Sequence, residues 1–122
     1  MDNIQAPEAI LYGIKNCDTV KKARKWLSEA EIDHRFHDLR SDGLSEAQLD
    51  EWLATLGWEA MLNTRGTTFR ALPEEQKSEL TLDKARALML AQPAMIKRPL
   101  LAIDGHYHLG FKPEQYHTLF SR

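Results

Sequence analysis

The sequence predicts an α/β fold in which a four-stranded mixed sheet is interrupted by a helical insertion. Three observations carry this. A strand-helix-strand pattern opens the chain, helical segments fill its middle, and two short strands around an Asp-Gly pair lead into a closing helix. With 122 residues, 43% of them hydrophobic and 28% charged, the chain suits one compact domain, residues 1–122, that buries roughly two-thirds of its unfolded surface. Neither disorder nor a membrane span is expected, because no apolar run approaches the ~20 residues a bilayer requires.

In chain order, "AILYGI" (9 to 14) is a short apolar run bounded by Pro7 and by "KNCD", which suits a buried strand. Val20, Ala23, Leu27 and Ala30 then recur at helical spacing, with Lys21, Lys22, Arg24 and Lys25 left for solvent, so a helix is expected from Asp18 to Glu31. "DHRFHDL" (33 to 39) alternates around Phe36 and reads as a second strand, parallel to the first through a right-handed crossover.

The insertion, about 44–96, starts with "SEAQLDEWLATLG": Ser45 and Gln48 have capping-box spacing, Leu49, Trp52, Leu53 and Leu56 form an apolar face, and Gly57 ends the helix. "NTRGTTFRAL" (63 to 72) shows no sustained period and reads as a loop. Pro73 opens a short helical turn, and Leu82, Ala85, Leu88 and Met89 mark a helix that stops before Pro93. Trp52 and Trp58 are expected in the insert's core. "LLAI" and "HYHLGF" flank Asp104-Gly105, a strong hairpin signal, and Pro113 fits the first turn of a helix that docks through Tyr116, Leu119 and Phe120. This order of elements is the plan of the thioredoxin fold with a helical insertion.

That plan puts the single cysteine, Cys17, at the amino end of the first helix. Unpaired backbone N–H groups and the helix dipole favour an anion there, and so favour thiolate over thiol. Between positions 15 and 25 stand five basic residues and one acid, a field of the same sign. The neighbours Lys15, Asn16, Asp18 and Thr19 are polar, unlike those of a cysteine that merely fills a core, so Cys17 is read as a reactive nucleophile. Val20 occupies the second position of a would-be CxxC pair, so any disulfide must form with another molecule. An external thiol must then release the adduct, and in a reducing compartment glutathione is the obvious supply.

"YGIKNCDTVKKARKWL", "LNTRGTTFRAL", "QPAMIKRPLL" and "GFKPEQY" together resemble the ArsC-like family of thioredoxin-fold proteins (arsenate reductases, Spx and YffB), and most closely its YffB branch. The resemblance runs from about Ile10 to Phe120. It implies Cys17 as the catalytic cysteine, Arg65 of "NTRG" and Arg98 of "KRP" as oxyanion-pocket arginines, and glutathione or glutaredoxin as reductant. It also implies a cis proline at Pro99, beside the active site. Lys15, Asn16, Pro99 and Lys112 are the expected substrate contacts. Lys112 of "FKP" stands where the family has a third arginine. Lysine carries the charge without the bidentate fork, which weakens an arsenate reading. Arg70 and the pair His106 and His108 are read as solvated, and no metal site is expected.

The reading is a glutathione-dependent thiol oxidoreductase with no tightly bound cofactor. Its partners are glutathione as cosubstrate and a thiol, disulfide or oxyanion substrate. Arsenate reduction and Spx-like binding to RNA polymerase stand as alternatives. A formal net charge of −2 gives no general attraction to nucleic acid or anionic membrane. The start "MDNIQAPEA" resembles neither a secretory nor a transit signal, so a cytoplasmic location is expected.

Overall fold

The computed structural model describes residues 9–121. Pro7 and the leader reading of the first residues lie outside the described residues. Four strands, β1 (Ala9–Gly13), β2 (His34–Asp38), β3 (Leu100–Ile103) and β4 (His106–Leu109), form one sheet in the order β2-β1-β3-β4. The helices are α1 (Asp18–Glu29), α2 (Glu46–Leu56), α3 (Trp58–Met61), α4 (Thr67–Arg70), α5 (Glu74–Lys77), α6 (Leu82–Ala91) and α7 (Pro113–Phe120), with a 3-10 turn at Pro93–Met95. Two compact units result: one ends at Asp38 and resumes at Arg98, and the other is Leu39–Lys97.

In the sheet unit, β1 runs parallel to β2 and antiparallel to β3, and β3 runs antiparallel to β4. This is the mixed α/β sheet of the thioredoxin plan. Leu11 and Leu101, directly opposed across β1 and β3, are buried with Ala9, Ala23, Leu27 and Tyr116. The hairpin turns at Asp104 (φ 53°) and Gly105 (φ 78°), two successive left-handed residues of the kind a tight two-residue loop requires. Helix α1 stops at Glu29, two residues short of the expected end. Glu31 is left-handed (φ 58°), and its N–H and that of Ile32 donate to Ser28 O (3.1 Å) and Leu27 O (3.0 Å). Those are the paired bonds of a Schellman stop. Phe36, half-buried on β2, lies 4.2 Å beneath the Arg24 guanidinium.

Helix α1 is seated through an absence. A Cβ built on Gly13 would meet Val20 Cγ2 at 2.7 Å and Cγ1 at 3.0 Å, and Val20 is fully buried. Gly13→Ala is therefore expected to destabilise the fold by about 1–3 kcal/mol through overpacking, measured by denaturant unfolding. A stability within experimental error of the parent would mean that the helix yields freely.

The insert packs Leu49, Trp52, Leu53, Met61, Leu62, Phe69, Ala85, Met89, Met95 and Ile96 into its own core. Ser45 and Thr81 cap α2 and α6 by accepting from Gln48 N–H and Lys84 N–H. Arg86 of α6 donates to both carboxylate oxygens of Asp50 (2.6 and 3.1 Å) and to Glu46 (2.9 Å) on α2. The segment read as a loop over 63 to 72 contains α4, because burying Phe69 closes a single turn too short to show a period. Helix α3 likewise follows Gly57 (φ 88°) without a sequence signal. Leu82, assigned to the apolar face of α6, is 49% exposed: it is the first residue of the helix, where the stripe has run out. Trp58 is half-buried, unlike the enclosed Trp52.

Candidate functional site

Strand register brings most of the expected residues of the sheet unit to one end. Gly13 lies beside Asp38, and Tyr12 beside Leu100. Leu100 in turn faces Leu109. The carboxyl ends of β1, β2 and β4 and the amino end of β3 therefore share an edge. Chain leaving β1 carries Lys15, Asn16 and Cys17 there. Chain entering β3 brings Arg98 and Pro99, and chain leaving β4 brings Lys112.

Cys17 is the N-cap of α1, with extended backbone (φ −89°, ψ 125°), and its side chain makes no capping bond. The thiol is half-buried. Its backbone is held on both sides: its N–H donates to Ile14 O (3.1 Å), and its carbonyl accepts from Lys21 N–H (2.9 Å). The sulfur thus stands at the head of a twelve-residue helix, where the first N–H groups have no helical partner. Lys15 and Asn16 are exposed.

The Arg98-Pro99 peptide is cis, as the resemblance implied. Pro99 is buried and its carbonyl accepts from Gly110 N–H at 2.8 Å, while Arg98 is half-buried. Lys112 is the exposed N-cap of α7, its carbonyl accepting from Tyr116 N–H at 3.1 Å. Arg65 belongs to the insert. Its side chain is exposed, and its backbone N–H donates to Asn63 Oδ1 at 3.1 Å. Arg70 is exposed at the end of α4.

Sequence reasoning missed Asp38. It is 5% exposed and accepts the Lys15 N–H on Oδ2 at 3.1 Å. An acid closing the strand "HRFHD" has no local signature, since its burial follows from β2 lying against β1. On β4, His106 is exposed and His108 half-buried; partial burial and the neighbouring His106 lower the His108 pKa. No three His, Cys, Asp or Glu side chains converge among the described residues. Within the insert, an open cavity of about 420 Å³ is lined by Leu39, Arg40, Leu44, Leu90, Gln92 and Pro93, among others, and none of the expected site residues lines it. No helix among the described residues is long and apolar enough to cross a membrane.

Comparison with known proteins gives this edge a lineage. The chain is similar to the solved structure of a YffB protein, with 51% identity, a TM-score of 0.85 and coverage of 90% of this chain and 96% of the other. It is similar to an arsenate reductase (ArsC) related protein from Brucella melitensis, with 50% identity, a TM-score of 0.79 and coverage of 98% and 100%. It also matches the global transcriptional regulator Spx 2 of Bacillus cereus, 28% identical over 93% of this chain and 87% of that protein. The ArsC family model matches residues 12–119. That span takes in the cysteine at the head of α1, the Arg98-Pro99 pair and Lys112, and the chain belongs to the ArsC family.

Proposed function

We propose that the protein is a glutathione-dependent thiol oxidoreductase with Cys17 as its single nucleophile. The observation that carries this reading is the placement of Cys17: a helix N-cap whose side chain is not engaged in capping, at the sheet edge shared with Arg98, Pro99 and Lys112. The Cys17 thiolate attacks the glutathionyl sulfur of a mixed disulfide. A new sulfur–sulfur bond forms at Cys17, the original one breaks, and the substrate leaves as a thiolate that takes a proton from solvent. The thiolate of a second glutathione then attacks the glutathionyl sulfur on Cys17, releasing oxidised glutathione and restoring the Cys17 thiolate. The chain holds one cysteine, so the second step needs this external thiol or that of a glutaredoxin.

Arg98, Lys15, Asn16 and Lys112 are proposed to hold the carboxylates of the glutathionyl group, with the guanidinium of Arg98 able to take one of them bidentately. The same role for Arg65 rests on the "NTRG" resemblance alone. Incubation with oxidised glutathione followed by mass spectrometry tests the proposal. One glutathionyl adduct at Cys17 is expected, and a protein that stays unmodified refutes it. Arg98→Ala is expected to weaken capture of oxidised glutathione by about ten- to a hundredfold, the loss of one charge-assisted contact, with Arg70→Ala within twofold of the parent. Equal losses in the two variants would mean the anion contacts are misassigned.

Arsenate reduction is favoured by the similarity to arsenate reductase-related proteins and disfavoured by Lys112. Trading a fork for a point charge costs about 1–3 kcal/mol in oxyanion binding. Poor arsenate turnover is expected in the parent, and a gain in Lys112→Arg. Robust reduction by the unmodified protein would reverse the ranking. Spx-like regulation draws on the likeness to Spx 2, but Val20 stands in the second CxxC position and is fully buried against Gly13, so this chain has no dithiol switch. Recovery of RNA polymerase on the tagged protein from cell extract would bring that reading forward.

A further inference from the structure

We infer that Asp38 is a positioning residue for Cys17, acting through the backbone of the loop that carries the thiol. The inference rests on the reading of Cys17 as nucleophile.

Among the described residues, Asp38 is the one charged side chain that is buried. Removing a carboxylate from water is costly unless its oxygens are bonded, so its place at the end of β2 calls for a compensating structure. The Cys17 loop is part of that structure. β1 and β2 run in parallel register with Gly13 beside Asp38, and Oδ2 accepts the Lys15 N–H at 3.1 Å across 23 residues of sequence. Cys17 N–H donates to Ile14 O at 3.1 Å, closing the turn from 14 to 17, and Lys21 N–H donates to Cys17 O at 2.9 Å, tying that turn to α1. Those two bonds are local and move with the loop. The bond to Asp38 ties the turn to the sheet. A nucleophile displaced by about 1 Å can lose a hundredfold in rate, so a sheet-anchored acceptor at the second residue of this turn governs where the sulfur stands. Toward the Lys15 N–H the carboxylate acts as an acceptor, and an uncharged acceptor of the same shape can take that bond.

The test measures the rate of Cys17 alkylation by iodoacetamide on the full chain, per folded molecule, beside amide exchange at Lys15. Asp38→Ala is expected to slow alkylation by about fivefold, because a sulfur that drifts from the head of α1 loses the favourable field of the first-turn N–H groups on the attacking anion, and to expose the Lys15 N–H to exchange. Asp38→Asn, which keeps an acceptor, is expected to stay within twofold of the parent in rate and to keep the amide protected. Leu101→Ala destabilises the same unit by removing buried methyl groups from β3 and is expected to leave the rate per folded molecule unchanged. An Asp38→Ala rate within twofold of the parent overturns the inference. So does an Asp38→Asn variant as slow as Asp38→Ala, or a Leu101→Ala variant slowed to the same degree. Should Asp38→Ala not fold, Asp38→Asn decides: loss of either the rate or the Lys15 protection refutes the acceptor role. Iodoacetamide makes no use of glutathione, so a parent that alkylates normally but takes up no glutathionyl group refutes the proposed function and leaves this inference standing.

Discussion

Cys17→Ser is expected to lose glutathionyl uptake entirely and thiol transfer by a thousandfold or more. Serine is isosteric and keeps the helix cap, but a hydroxyl at this position stays protonated at neutral pH and does not displace sulfur from a disulfide. The sequence has one cysteine, so no second sulfur can take over, and the loss is that of a sole covalent catalyst. Mass spectrometry after exposure to oxidised glutathione and a coupled thiol-transfer assay are the readouts. A fully active Cys17→Ser protein would rule out the covalent mechanism. The variant should unfold at no lower denaturant concentration than the parent, since the Cys17 side chain makes no capping bond to lose and serine is a favoured N-cap.

The second large effect concerns stability. Tyr116 is fully buried, edge-on to Phe111 (ring centroids 4.8 Å) and Trp26 (5.6 Å), and its hydroxyl has no hydrogen-bond partner among the described residues. Tyr116→Ala is expected to cost about 3–5 kcal/mol, the range for deleting a buried aromatic ring, out of a total of about 5–15 kcal/mol for an ordinary domain. Tyr116→Phe keeps the ring and removes a buried polar group, so it should be neutral or stabilising by up to about 1 kcal/mol.

Burial holds the Tyr116 phenol well above its ordinary value of 10.0. Above pH 10 the unfolded chain therefore gives up this proton while the folded chain retains it. With fewer protons on the unfolded state, stability falls as pH rises, by about 1.4 kcal/mol per unit from this group. Below pH 10 both states are protonated and the contribution is flat. Denaturant midpoints for parent and Tyr116→Phe, compared between pH 9 and 11, isolate the group, and parallel curves would show that the hydroxyl is solvated.

The elements legible in sequence are those with internal redundancy. Helix α1 announces itself through Val20, Ala23 and Leu27, all fully buried, and the β3–β4 hairpin through the Asp104-Gly105 pair. Single-turn α3 and α4 have no repeat to read: burial of Met61 and Phe69 fixes them, and that burial exists only once the insert has closed. The site divides the same way. Cys17 could be placed from the strand and helix around it, and Arg98 only through the family resemblance of "KRP". Asp38 could not, because it bonds a neighbour 23 residues away through that residue's backbone, which leaves no side-chain signature.

The contact between Gly13 and Val20 has a consequence for how the chain can change over generations. The missing Cβ at one position and the isopropyl group at the other occupy the same space, so the two sites are epistatic. A carbon gained at Gly13 is harmful while valine stands at 20 and tolerable once that residue has shrunk, which fixes the order of the two steps: Val20 must yield first. A lineage that passes through a smaller residue at 20 is thereby free to drift at 13, and any side chain gained there closes the route back to valine.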